Sequence, residues 1–197
     1  MPHERARERA PHPVIIEAGH VQVALLDDAP DAAIIRRGAV AGERPSQASG
    51  GCVRRRAVVE YYRAVGGLPQ RALLGGVWAP DPGGVLHVEV GLSGPWSREP
   101  ASYRGALGHE LVRGLPDEYG ATVLRMLLKS GLPSGFLTID TAAHDPVESS
   151  DVAFRAASLL LAAAFRGDAP DEVEMAFRAQ LEAIRAEPSW PGPMESW

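Results

Sequence analysis

Residues Gly135 to Phe165 read G-F-L-T-I-D-T-A-A-H-D-P-V-E-S-S-D-V-A-F-R-A-A-S-L-L-L-A-A-A-F. Phe136, Leu137 and Ile139 are apolar and largely β-favouring, and Thr138, Asp140 and Thr141 interleave with the last of them in period two. The strand this predicts runs into Ala142-Ala143-His144-Asp145-Pro146. Pro146 removes a backbone donor there and pushes Asp145 toward an extended conformation. Ser149 or Ser150 is placed to cap a helix, and Asp151 suits the positive end of its first turn. Ala, Leu and Phe then dominate, so a helix over Ser149–Phe165 is expected to bury a broad face, with Phe154 and Leu161 in the core.

Upstream, Leu115 to Ser130 predicts another helix. Pro116 sits in its first turn, Tyr119, Val123, Met126 and Leu127 share one face, and Gly131 ends it. Downstream, Val173, Phe177, Leu181 and Ile184 give Pro170–Ala186 a regular apolar stripe. That helix is expected to fold back on the domain rather than pair with another chain. Toward the N-terminus, Pro13–Leu26 holds two strand-like runs around Gly19-His20, and Ala32–Val40 suggests a further short strand with Ile34 and Ile35 inside it. Residues 41–52 read as a flexible loop, and Val53–Val65 as a strand or a helix. Ala72–Ala79 and Gly84–Leu92 are strand candidates around the turn Pro80-Asp81-Pro82-Gly83. The expectation is an α+β fold: one mixed sheet of three to five strands, with two to three helices packed on one face. It occupies residues 13–187, between a disordered arm (1–12) and a Pro-rich tail (188–197).

The 197 residues are 45% apolar and 23% charged, which describes a globular chain able to bury a sizeable core. Cys52 is the single cysteine, which excludes an internal disulfide and a cysteine-based metal site. Neither a bilayer-spanning apolar run nor a secretion signal is present, so the expected compartment is the cytoplasm, with no membrane partner. Residues 1–71 carry 11 arginines and 8 acids, and the remainder 9 basic residues and 17 acids. A formal charge of −5 does not draw the whole chain to nucleic acid, and no DNA partner is expected. Any RNA contact needs a local patch. Arg54-Arg55-Arg56, followed by Tyr61-Tyr62, is the candidate, and a solvated strand or helix face is the alternative.

Enzymatic signatures are missing. There is no G-x-x-x-x-G-K-[ST] loop, so no nucleotide cofactor is expected. Gly108-His109-Glu110 lacks a second histidine four residues on, and no two of the six histidines are three to five positions apart, so no local metal pair exists. His144 with Asp145 and Glu148 would make an acid/base cluster if the turn folds compactly, and a solvated, helix-capping turn if it does not. The chain is read as a non-enzyme without cofactor or metal.

The wording of the opening stretch carries a resemblance. His144-Asp145-Pro146-Val147-Glu148-Ser149-Ser150-Asp151-Val152-Ala153-Phe154 resembles the H-D-V-D-S-S-E-L-A-F segment in the fourth domain of bacterial translation elongation factor G. Gly114-Leu115-Pro116-Asp117-Glu118-Tyr119 is similar to the family's G-G-V-I-P-x-E-Y/F. Leu132–Asp140 is similar to its P-L-x-G-x-P-V-x-D strand entry, so the best-matched core runs from Tyr103 to Phe165. The resemblance implies the ribosomal-protein-S-five-like fold, with a left-handed βαβ crossover. It also implies a stand-alone, translation-associated module that binds the ribosome or a structured RNA without GTPase activity. His144 and Asp145 would then be exposed at the RNA-binding tip, beside the Pro80–Gly84 turn. Pro146 is a one-residue insertion relative to the family, and the glycine-rich tip loop is reduced to Gly83-Gly84, without its arginine and aromatic residue. The alternative is a repurposed domain that binds a protein or a small molecule and has no RNA partner.

Overall fold

The two apolar runs near the start form a hairpin. Strands β1 (Val14–Ala18) and β2 (Val21–Leu26) pair antiparallel around Gly19, whose φ of 64° suits a residue without a side chain. The computed structural model describes residues 13–49, 53–65, 68–95, 102–167 and 170–186; the expected arm and tail fall outside them. A 3-10 turn at Pro30–Ala32 follows, and the next strand, β3, is Gly38–Pro45. This corrects two expectations. Ile34 and Ile35 lie outside any strand, with Ile35 66% exposed, and the supposed loop after Val40 continues as strand to Pro45. Packing overrides propensity here. Gly42 carries no Cβ against Leu124 and Leu128 of the first helix, where a Cβ would lie 3.0 Å from the Leu128 side chain.

Strands β4 (Arg55–Val65), β5 (Leu68–Pro80) and β6 (Val85–Leu92) come next, so Val53–Val65 resolves as strand rather than helix. A short hairpin, β7 (Ser102–Arg104) and β8 (Glu110–Arg113), leads to helix α1 (Asp117–Lys129). Then come β9 (Gly135–His144), α2 (Asp151–Arg166) and α3 (Pro170–Ala186). The architecture is α+β, as expected, but among the described residues the sheet has nine strands rather than three to five. Its order is β1-β2-β4-β5-β9-β6-β3, with the β7–β8 hairpin attached to the end of β9. Among the described strands the pairings are antiparallel except β6 with β9, which is parallel and runs Leu86↔Gly135 to Val90↔Ile139.

Helix α2 starts at Asp151, two residues after the expected Ser149, with Ser150 rather than Ser149 as its cap. The Ser150 hydroxyl accepts the Ala153 N–H at 3.3 Å, and Phe154 and Leu161 are fully buried. Helices α1 and α2 cover one face of the sheet, and α3 folds back beside α2, burying Phe177, Leu181 and Ile184 in the same core. The opposite face carries a smaller core of Ala29, Ala32, Val58, Leu73, Leu111 and Ala143 under the 3-10 turn and the β7–β8 hairpin. Among the described residues no helix is long and apolar enough to cross a membrane.

Candidate functional site

The parallel pairing of β6 with β9 decides where the expected tip residues go. The Pro80–Gly84 turn enters β6 beside Gly135, the first residue of β9, while His144 is its last. Nine steps of strand separate them, about 30 Å at ~3.3 Å per residue. The two segments therefore leave the sheet at opposite ends, correcting the expectation that they emerge together. Ser134 secures the first end by donating its hydroxyl to the Asp81 carbonyl, and Asp81 accepts the Gly83 N–H at 2.9 Å.

His144 is 3% exposed, which corrects its expected exposure. It is still in the ladder, paired with Val112 of β8, and its Nδ1–H donates to the Gly114 carbonyl at 3.1 Å. Burial holds its pKa below the ordinary value, more than the Gly114 bond and the Asp145 and Glu118 charges can offset. Asp145 is half-buried, and its Oδ1 accepts the N–H groups of Val147 (2.8 Å) and Glu148 (2.9 Å), closing the turn on itself. Glu148 pairs with Arg71 of β5 at 2.7 Å, and Arg71 lies 4.8 Å over the Tyr62 ring, which stands 5.1 Å from His109. Ser149 adds a bond to the Arg71 carbonyl at 2.6 Å. His144, Asp145 and Glu148 thus have separate partners and do not form an acid/base cluster. The turn is stapled to β5.

The arginine triplet is also dispersed. Successive residues of a strand point to opposite faces, so Arg55 and Arg56 leave β4 on different sides, and Arg54 precedes the strand in an exposed position. Arg56 is held on the hairpin side by Asp28 (Nε to Oδ1, 2.5 Å), Asp140 (Nη1 to Oδ2, 2.9 Å) and Thr141 (Nη2 to Oγ1, 2.9 Å). Burial disfavours its charge, but the Asp140 and Asp28 bonds outweigh that and raise its pKa. A β-bulge makes this possible. Gly75 and Gly76 of β5 pair with Thr141 and Ile139, so Asp140 is the extra residue and joins Thr141 on the Arg56 side. Gly76 allows the close approach, since a Cβ there would overlap the Thr138 carbonyl.

Two features escaped the sequence reading. Glu60 is 3% exposed on the hairpin side of β4, where it accepts the N–H groups of Leu107 (3.2 Å) and Ala106. Gly105 leaves room for it; a Cβ there would overlap the carboxylate. Burial raises the Glu60 pKa above its ordinary value, the two backbone bonds and the Arg71 charge compensating only in part. This carboxyl holds the hairpin turn and is almost closed to solvent.

The second feature is a cleft of about 460 Å³ at the sheet end opposite His144, where β1 begins, β2 ends, β4 begins and α2 passes to α3. Its walls are apolar, built by Ile16, Leu25, Ala57, Phe165, Val173 and Phe177. Asp27, Arg55, Arg56, Asp171 and Glu174 are the charged residues along it. Size and lining fall in the range of small-molecule sites, which are mostly apolar with a few polar groups. The sequence gives no local signal for it, because the lining spans residues 14 to 177 and each apolar member reads as core. Among the described residues there is no group of three or more His, Cys, Asp and Glu side chains able to hold a metal.

Compared with known proteins, the chain matches no family model, no curated protein and no solved structure.

Proposed function

We propose that this chain is a binding module, not an enzyme, and that its site is the apolar cleft between the β1–β2–β4 end of the sheet and the α2–α3 junction. The cleft itself is the observation that carries this reading: about 460 Å³ of space with mostly apolar walls and a few charged residues along it. Burial of His144 and the engagement of Arg56 by two carboxylates weigh against a contact through His144 or through the whole arginine run, and so favour the cleft. The occupant is a small, mainly apolar molecule. The test is fluorescence titration with N-phenyl-1-naphthylamine, a neutral apolar fluorophore, against the wild type and Val173→Trp. Val173 is half-buried at the cleft, so the larger ring fills the space without touching the sheet ladders. Saturable binding weakened about tenfold or more by the substitution is expected, tenfold being 1.4 kcal/mol. Absence of binding, or binding that Val173→Trp leaves unchanged, would sink the reading.

A second reading, a stand-alone ribosome- or RNA-binding domain without GTPase activity, is supported by the wording of Tyr103–Phe165 and by its helix–strand–turn–helix order. Exposed Arg54 is the member of the basic run that remains for phosphate contact. Co-sedimentation with ribosomes at low and moderate salt tests it, and no association at low salt would remove it.

A further inference from the structure

We infer that the cleft selects amphipathic amines, taking an apolar chain between its walls and an ammonium group at its rim. The inference rests on the cleft reading above and adds the sign of the head group. The charged residues along the cleft are two arginines and three acids. Arg56 is already shared between Asp28 and Asp140, and Arg55 is engaged as well, so neither stands as a free cation at the cleft. Glu174 pairs with Arg178 at 2.8 Å. Asp27, at the exit from β2, and Asp171, in the first turn of α3, have no cationic partner among the described residues, and both are exposed. The rim thus presents two exposed carboxylates with no ion-pair partner among the described residues.

Helix ends do not reverse this. The cleft is bordered by the C-terminal turn of α2, which carries partial negative charge, and by the N-terminal turn of α3, which carries partial positive charge. The two are comparable and opposed, so the full charges of Asp27 and Asp171 decide. An ammonium at this mouth keeps its water on one side and gains attraction from the carboxylates; a ligand carboxylate would be repelled by both. Because the rim is exposed, the preference is screened by salt.

Displacement of N-phenyl-1-naphthylamine by octylamine, octanol and octanoate, three ligands with the same chain and different heads, tests the inference. Octylamine is expected to displace the probe at about tenfold lower concentration than octanoate, a difference of about 1.4 kcal/mol, with octanol between them. The spread should narrow in ~0.5 M salt. The double variant Asp27→Asn, Asp171→Asn should erase the difference between the three heads and leave octanol unchanged. Equal displacement by all three, or a preference for octanoate, would overturn the amine inference while leaving the cleft as a binding site. Failure of the probe to bind, or of every chain to displace it, would overturn both.

Discussion

Phe154 and Glu60 sit at nearly the same depth on opposite faces of one sheet, 0% and 3% exposed, and their surroundings differ in kind. Phe154 is surrounded by apolar side chains and by the Tyr119 ring, whose centroid is 4.7 Å away. Glu60 lies beneath a hairpin turn that gives it two backbone N–H groups, within a core made mostly of alanine, valine and leucine. The helix side is held by volume, which is non-directional and tolerant of rearrangement. The hairpin side is held by individual polar bonds, of which the Arg56 fork to Asp28, Asp140 and Thr141 is the largest group. A substitution on the first face fails through the space it leaves; one on the second fails through the partner it strands.

Phe154→Ala should cost the most, about 3–5 kcal/mol in urea melts; a loss below about 1 kcal/mol would mean the two faces are not distinguished by volume. Arg56→Met keeps the stem and removes the fork. The expected cost is about 1–3 kcal/mol, at the lower end because the side chain is partly exposed. A change within noise would show the fork to be ornamental.

Glu60 gives a third test through pH. Burial raises its pKa above 4.5, so the folded chain holds that proton more tightly than the unfolded one. Stability from this group is therefore full below about 4.5 and declines as pH rises through the folded value. His144 acts in the opposite sense: burial lowers it from 6.5, so stability declines as pH falls below that value toward the folded one. Glu60→Gln should remove the first slope and keep the second. Melts of both proteins from about pH 4 to about pH 8 are expected to diverge above the ordinary glutamate value, and parallel curves would reject the assignment. Arg54→Glu, at an exposed position ahead of β4, should change stability by no more than about 0.5 kcal/mol, and a larger loss would place Arg54 in a contact of its own.

The same division explains what the sequence disclosed. Helices α1, α2 and α3 and the β1–β2 hairpin were legible because a non-directional apolar face leaves a period in the chain. Gly42 carries no local strand signal, because its fitness for strand depends on Leu124 and Leu128, far off in the sequence. His144 was read as exposed because the polar wording around it says nothing of β8, which pairs with it, or of the Gly114 carbonyl. The arginine run looked like a patch only while its strand period was undecided. The ends at which the two loops leave depend on β6 and β9 running parallel, a direction that no local pattern encodes.

The position of β9 has a consequence for how the chain reaches this state. Strands β5 and β6 follow each other in sequence, yet they are joined in the sheet only through Gly135–His144, which lies between them. Before that segment is synthesised, the ladders available are a β1–β2–β4–β5 ribbon, a β3–β6 pair and the β7–β8 hairpin. Each exposes unpaired backbone along the edge that β9 will occupy. Contacts so distant in sequence slow folding, and the waiting edges are open to pairing with other chains. A nascent chain halted before Gly135 should accordingly be the species that aggregates, and the arrival of one ten-residue strand is what closes the window.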